Sequence, residues 1–349
     1  MTTGKEIPAF NPNGVGLRNG NFIGLPFSSS EAAVVLIPVP WDLTTSYCPG
    51  TAGGPANILG ESVQLDLYDP FVPEGWKAGI CMLPEKEQWK QVNDSNRMKA
   101  ERYIRFLEEG GRPDSDPEMK KLRDELNRLC RELHEEVYGL CKSQLNLGKI
   151  PGVVGGEHSV SLGVLKALSE RYGSFGILQI DAHMDLRESY EGLEFSHASI
   201  MYNALHLENI SGLVQVGVRD YCEEEAERGM ASQRIQAFTD QWLKERQLSG
   251  SSFLSSVTEI IAELPERVYV SFDIDGLDPS LCPGTGTPVP GGLSYSEAVF
   301  LLRELVKSGR QIIGFDLTET AGTGSWDGNV GARLLYQLSI LAIRSWNLA

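Results

Sequence analysis

The chain has 349 residues, of which 41% are hydrophobic and 22% charged, and its formal net charge is −16. That acidity argues against nucleic acid or an anionic membrane surface as partner, because affinity for both comes from Lys and Arg. A cationic small molecule or a metal ion is the more natural ligand.

At the N-terminus, MTTGKEIPAFNPNGVG lacks the basic start and apolar core of a secretory signal, and no later run approaches the roughly 18 apolar residues that span a bilayer. The six cysteines are scattered without a CxxC, which suits reduced thiols used as packing residues and a cytoplasmic location. Residues 1–31 are rich in Gly, Asn and Pro, with Phe10, Phe22 and Phe27 interspersed. They read as an irregular arm that packs on something. Short apolar runs with little alternation follow at 32–40, 150–156, 175–181, 212–219, 266–275 and 311–317, as expected of parallel strands covered on both faces. Helical patterns lie between them, among them 159–173 and 294–309, the second opening at a serine and closing at Gly309. Strands alternating with helices predict an α/β protein with one mainly parallel sheet.

Residues 84–147 differ, reading as one or two charged helices divided by GGRPDSDP. Leu122, Leu126, Leu129, Leu133 and Val137 recur at helical spacing, which predicts one face packed on the body. The segment is expected to be an insertion within a single domain spanning 32–349, and its His134 to lie at the surface.

The run FGILQI leads straight into DAHMD. In extended backbone Asp181, His183 and Asp185 point to one side, and burying such charge unpaired costs several kcal/mol. Two carboxylates and an imidazole are donors that a divalent cation such as Mn, Ni, Fe or Zn accepts. The run at 150–156 enters GGEHS, whose glycines let the backbone turn and present His158. The run at 266–275 leads through SFDID, where Asp273 and Asp275 share a face by the same spacing. Ligand sites of parallel sheets lie beyond the carboxyl ends of the strands, where all these residues fall. Four aspartates and two neutral histidines carry a charge that balances two divalent cations. Two metals about 3.5 to 4 Å apart lower the pKa of a shared water toward neutrality, so the pattern suits hydrolysis.

GGEHS (155–159), DAHMD (181–185), SHAS (196–199) and SFDIDGLDP (271–279) together resemble the signatures of the ureohydrolases, the arginase and agmatinase family. SYCPGTAGGPANIL (46–59), PGTGTPVPGGL (283–293), DLTET (316–320) and NVGARLLYQL (329–338) extend the resemblance from about residue 32 to 345. Among subgroups, GGEHS, DAHMDLR and SHAS look most like agmatinases. The resemblance implies the three-layer α/β/α fold of arginases and deacetylases, with helices on both faces of the sheet. It implies one metal held by His158, Asp181, Asp185 and Asp273 and another by Asp181, His183, Asp273 and Asp275, usually manganese and in some relatives nickel. His197 would then shuttle protons, Glu319 would pair with a substrate guanidinium, and Asp185 would accept a hydrogen bond from the attacking hydroxide and help hand on its proton.

The implied reaction is metal-dependent hydrolysis of a guanidino C–N bond with release of urea, agmatine being the first expectation. Free guanidine, guanidinobutyrate, arginine and a formimino compound are the alternatives. A homo-oligomer, trimer or hexamer, is expected from the same resemblance. Three departures bear on the substrate: TAG follows Glu319 in place of a Val-x-Pro turn, Ala198 replaces a common Gly, and Arg187 stands where arginases have a polar residue. Pointing inward, Arg187 would repel an amine tail. The phenylalanine-bearing arm, laid over a neighbouring subunit's pocket, would favour a small substrate such as free guanidine. One-zinc deacetylases share the DxH element, but His158 and the four-aspartate set speak against them. Retention of all six ligand positions and His197 speaks against a catalytically silent binding subunit.

Overall fold

In a computed structural model, residues 10–347 are described, and eight strands pair in parallel in the order β2-β1-β3-β8-β7-β4-β5-β6. They are β1 (Val34–Val39), β2 (Ile80–Met82), β3 (Ile150–Gly155), β4 (Phe175–Ile180), β5 (Ile210–Val216), β6 (Ile235–Phe238), β7 (Arg267–Asp273) and β8 (Gln311–Thr318). β1, β3 and β4 are buried along their whole length, as runs of apolar residues without alternation require.

The helices are α1 (Gly54–Glu61), α2 (Glu87–Glu108), α3 (Pro117–Asn146), α4 (Leu162–Arg171), α5 (Ile200–Ala204), α6 (Glu223–Ala231), α7 (Asp240–Leu248), α8 (Phe253–Ala262), α9 (Tyr295–Lys307) and α10 (Ser325–Ser345). They make two outer layers. Because alternate strand residues face opposite ways, Leu178 and Ile180 of β4 and Val268, Val270 and Phe272 of β7 pack with α8, α9 and α10. Phe175 and Ile177 of β4 and Tyr269 of β7 pack with α3, α4 and α5 on the other face. The architecture is the expected α/β/α sandwich. Ser294 and Glu297 form a capping box at the start of α9, the serine hydroxyl accepting the Glu297 N–H and the glutamate accepting the Ser294 N–H.

The apolar stripe predicted in the helical segment lies on α3, with Leu122, Leu126, Leu133 and Val137 in the core and Leu129 at its margin. His134 is not a surface residue. It is 5% exposed and sits edge-on to Phe195 with ring centroids 5.2 Å apart, because the stripe wraps far enough round α3 to take in its position. Burial pushes its imidazole down to about 3, so it is neutral.

The described part of the arm packs on its own chain: Phe22 is fully buried, and Phe10 lies 5.4 Å from the ring of Trp76. Asn21 ties it to the sheet edge, accepting the Met82 N–H at 2.8 Å. Residues 1–9 of the expected arm lie outside the described residues. The reading of all six cysteines as packing residues holds for Cys81, Cys130, Cys141 and Cys282, whereas Cys48 is exposed and Cys222 half-buried. No helix among the described residues is long and apolar enough to cross a membrane.

The crossing from β3 into the site depends on Gly156, where a Cβ would overlap the carbonyl oxygen of Trp41. Gly156→Ala is expected to destabilise the fold by about 3 kcal/mol or more through backbone overpacking. Gly60→Ala, at an exposed position of α1 with nothing near its Cβ, is expected to stabilise it by about 0.5–1 kcal/mol. Urea unfolding of the pair checks both signs.

Candidate active site

The four central strands β3, β8, β7 and β4 end side by side, and each delivers a polar group at its carboxyl end: His158, Glu319, Asp273 and Asp181. Asp181, His183 and Asp185 converge, though not as one face of a strand. β4 stops at Ile180, and Asp185 takes a left-handed conformation with φ 54°, which aspartate tolerates better than most residues. Its carbonyl accepts the N–H groups of Met201 and Tyr202, each at 3.1 Å. Asp275 likewise lies in a short 3₁₀ turn after β7, with its N–H on the Asp273 carboxylate at 2.9 Å.

Two donor clusters result, His158–Asp181–Asp185 and Asp181–His183–Asp275, and Asp181 belongs to both. His158 Nδ1 lies 2.9 Å from Asp185 Oδ2, 3.1 Å from Asp181 Oδ2 and 3.6 Å from Asp273 Oδ2. His183 Nδ1 lies 3.1 Å from Asp275 Oδ2 and 3.6 Å from Asp181 Oδ1. Asp273 thus stands at the edge of the first cluster and in neither tight group.

These residues fit a divalent cation. His158 Nδ1 is buried and, by angle, hydrogen-bonded to none of the three carboxylates around it. Its other nitrogen, Nε2, is 2.8 Å from Ser271 Oγ, whose own proton goes to Asp316 Oδ2 at 2.8 Å. Ser271 therefore accepts from Nε2–H, which aims Nδ1 at the carboxylate oxygens, the ring orientation a metal ligand needs. Asp316 is held in turn by the Tyr269 hydroxyl at 2.6 Å and the Phe272 N–H at 3.0 Å. On the β4 side, Gln179 donates to Asp181 Oδ2 at 2.8 Å and Gln215 donates to Gln179 at 2.6 Å.

Electrostatics point the same way. Burial, then repulsion from Asp181, raises Asp185 to about 7. Burial and the neighbouring Asp275 and Asp181 hold Asp273 well above the carboxylate range, and burial with Glu157 does so for Glu319. Burial disfavours a charged His183, yet Asp275 and Asp181 outweigh it and raise the ring to about 12. So many carboxylates cannot all ionise in a buried space without added positive charge.

Glu319 adopts φ 59°, an uncommon backbone state for glutamate. Its N–H bonds the Gly156 carbonyl at 2.7 Å, its carbonyl takes the Thr285 hydroxyl at 2.8 Å, and Oε1 takes the His158 N–H at 2.9 Å. His197 follows Ser196, the cap of a short 3₁₀ turn, so the segment is ordered locally. Burial, followed by His183 and His158, pushes its imidazole down to about 4.

Above the clusters opens a cavity of about 330 Å³, reached by Asp185, Glu319 and His197 at its base. Arg187, Asp220 and Glu225 form its outer wall. Arg187 Nε is 3.6 Å from Glu225 Oε2, and its guanidinium lies 4.7 Å over the Tyr190 ring. Glu225 is buried and accepts the N–H groups of Leu186 and Cys222, both at 3.0 Å. Sequence reasoning did not single out Glu157, Thr44, Tyr190, Asp220, Glu225 or the Ser271–Asp316 pair. Glutamines and a serine within otherwise apolar strands were the signal available for the supporting shell.

The chain matches a model of the arginase family over residues 32–340. It is 33% identical over 307 residues to the N(1)-aminopropylagmatine ureohydrolase of Thermus thermophilus, covering 88% of this chain and 89% of that one. It is 30% identical over 297 residues to the agmatinase of Bacillus anthracis, with 84% and 85% covered. The crystal structure of the agmatine ureohydrolase of Thermoplasma volcanium superposes with a TM-score of 0.70 at 24% identity, covering 92% of this chain and 94% of that one.

Manganese is expected to raise the melting temperature of the wild type, and Asp181→Ala, which removes the carboxylate common to both clusters, to abolish most of that rise. Elemental analysis of the dialysed proteins checks it through ions retained per chain. Asp316→Asn, two bonds removed from His158, is expected to weaken metal affinity by about 10- to 100-fold without removing a ligand.

Proposed function

The chain belongs to the arginase family and is a binuclear-metal hydrolase acting on guanidino compounds; on that premise we propose that it hydrolyses agmatine to putrescine and urea. The observation that carries the substrate is the cavity lining beyond the donor clusters, which holds two carboxylates, Asp220 and Glu225, and a single guanidinium, Arg187, that is already engaged by Glu225 and Tyr190. A cationic tail therefore meets net negative charge.

In this reading His158, Asp181, Asp185 and Asp273 hold one divalent cation, and Asp181, His183, Asp273 and Asp275 the other. Manganese is the first expectation and nickel the second. When bound, the two ions supply Lewis-acid activation of a water molecule. Glu319 orients the planar guanidinium: Oε1 is occupied by the His158 N–H, and the missing side chain of Gly286 leaves space beside Oε2. A charge-assisted hydrogen bond there fixes the guanidinium carbon relative to the metal clusters. Asp185 accepts a hydrogen bond from the attacking water and helps hand its proton on to His197. His197, neutral before reaction, receives a proton and delivers it to the departing nitrogen, without which the tetrahedral adduct cannot collapse to urea and amine. The reading includes a single catalytic domain over 32–349 with a helical insertion, a cytoplasmic location, and a homo-oligomer of three or six chains, which light scattering tests.

Arg187 supports one alternative. If its side chain leaves Glu225, it offers a cation to an acidic tail such as that of 4-guanidinobutyrate. Urea release should be measured with manganese and with nickel on agmatine, arginine, 4-guanidinobutyrate and free guanidine, with Asp181→Ala as control. Agmatine is expected to be hydrolysed fastest, with the activity lost in the control. Silence on all four with both metals bound overturns the guanidino reading. Arg187→Ala is expected to raise kcat/KM for agmatine several-fold, whereas a loss confined to 4-guanidinobutyrate as the better substrate would favour the acidic tail.

A further inference from the structure

The helices α2 and α3 grip the two loops that meet at His197. From α2, Arg97 donates through Nη1 to the carbonyls of Asp42 at 2.7 Å and Leu43 at 3.2 Å, and through Nη2 to that of Thr45 at 2.6 Å. One turn earlier, Asn93 accepts the Asp42 N–H at 2.9 Å and donates to Asp42 Oδ1 at 3.0 Å. The residue enclosed by these carbonyls is Thr44. Its N–H bonds Glu157 Oε2 at 2.7 Å, and its hydroxyl accepts the His197 N–H at 3.0 Å and lies 3.3 Å from His197 Nδ1. On the other side, the Tyr103 hydroxyl holds the Glu191 carbonyl at 2.8 Å, and Asn127 brackets the next residues through the Gly192 carbonyl and the Glu194 N–H.

Arg97 is unusual in what it binds. Its side chain is only 13% exposed, and its one ion pair is a 3.4 Å contact with the partly exposed Glu101. The rest of the guanidinium faces backbone carbonyls. A rigid fork of donors set on three carbonyls of one turn fixes geometry rather than neutralising charge, a task that neither lysine nor an apolar residue performs. We propose that Arg97 is a positioning residue for His197: it locks the 42–45 turn so that Thr44 holds both the backbone and the ring of the proton-carrying histidine. This rests on the reading of His197 given above. Arg97 touches no reacting atom; its hydrogen bonds reach His197 by way of the turn that carries Thr44, and its nearby positive charge also disfavours a protonated His197 ring.

The test uses full-length, metal-loaded protein and begins without substrate. Hydrogen exchange followed by mass spectrometry on Arg97→Leu is expected to show the 42–46 and 196–199 segments both exchanging at least about tenfold faster than in the wild type. Loosening of 42–46 with 196–199 unchanged overturns the proposal, because the clamp then stops short of His197. If Arg97→Leu does not fold, Thr44→Val leaves the clamp intact, removes the hydroxyl, and must speed exchange at 196–199 by itself.

With agmatine, Arg97→Leu is expected to lower kcat by about 10- to 100-fold, the range of a small misplacement of a catalytic group, with KM changed less than about twofold. The same substitution in a His197→Asn background is expected to cost almost nothing, since residues acting through one group are non-additive. Equal losses in both backgrounds would assign Arg97 a general structural role and overturn the proposal. Unchanged urea release by His197→Asn alone would instead remove the proton-carrying reading of His197 and leave the Arg97–Thr44–His197 coupling to the exchange data.

Discussion

Everything at the carboxyl edge of the sheet is shaped by the burial of like charge. Asp181, Asp185, Asp273, Asp275 and Glu319 are each at most 6% exposed, and they stand within reach of two imidazoles. In a low-dielectric space such a group either takes up protons or takes up cations. Hydrogen bonds from Gln179, from Ala182 N–H to Asp275 and from His158 N–H to Glu319 orient the carboxylates individually. They do not supply the missing charge. The fold therefore carries a standing electrostatic cost at one edge, and divalent cations are the economical way to offset it while keeping every oxygen acceptor-only.

That cost also explains why polar residues occupy one face of otherwise apolar strands. Tyr269, Ser271 and Asp273 alternate with Val270 and Phe272 along β7, so the polar set faces α3 and α4 while the apolar set packs against α8 to α10. Asp316 on the adjacent strand β8 collects Tyr269 and Ser271, and through Ser271 holds Nε2–H of His158 so that Nδ1 faces the carboxylates. The orientation of the His158 ring in the donor cluster is thus set by the register of two strands. Register is rigid because a slip of one residue would turn the whole polar set into the opposite core.

The parts of this arrangement that could be read from sequence are those encoded by local pattern. Six of the eight strands announced themselves as apolar runs, because central parallel strands are buried on both faces; β2 and β6, three and four residues long at the sheet edges, are too short to leave such a signal. The donor residues of the two clusters were legible from their places after those runs, but their convergence was attributed to extended backbone. It is produced by turns, with Asp185 at positive φ. His134 was misread because a helix can bury a wider arc than its leucines mark. Thr44 and Arg97 were invisible for a different reason: Thr44 is 153 residues from the His197 it touches, and Arg97 is 52 residues from the Thr45 carbonyl it holds. No window of sequence contains such a pair.

The distribution of support around the cavity separates two functions in space. The base is fixed by the sheet itself, through strand ends and the Ser271–Asp316 shell, which makes the two donor clusters the least adjustable part of the site. The walls are fixed by elements outside the sheet: α2 and α3 hold the 42–45 and 190–194 loops, and the start of α6 presents Glu225 to Arg187. A change of substrate tail therefore requires no change at the base, only at the helices and the residues they hold. By the same logic, residues such as Arg97 can alter proton delivery without touching a ligand, because the histidine they steer hangs from the walls and not from the sheet. Family-level chemistry and individual specificity are carried by different layers of the same fold.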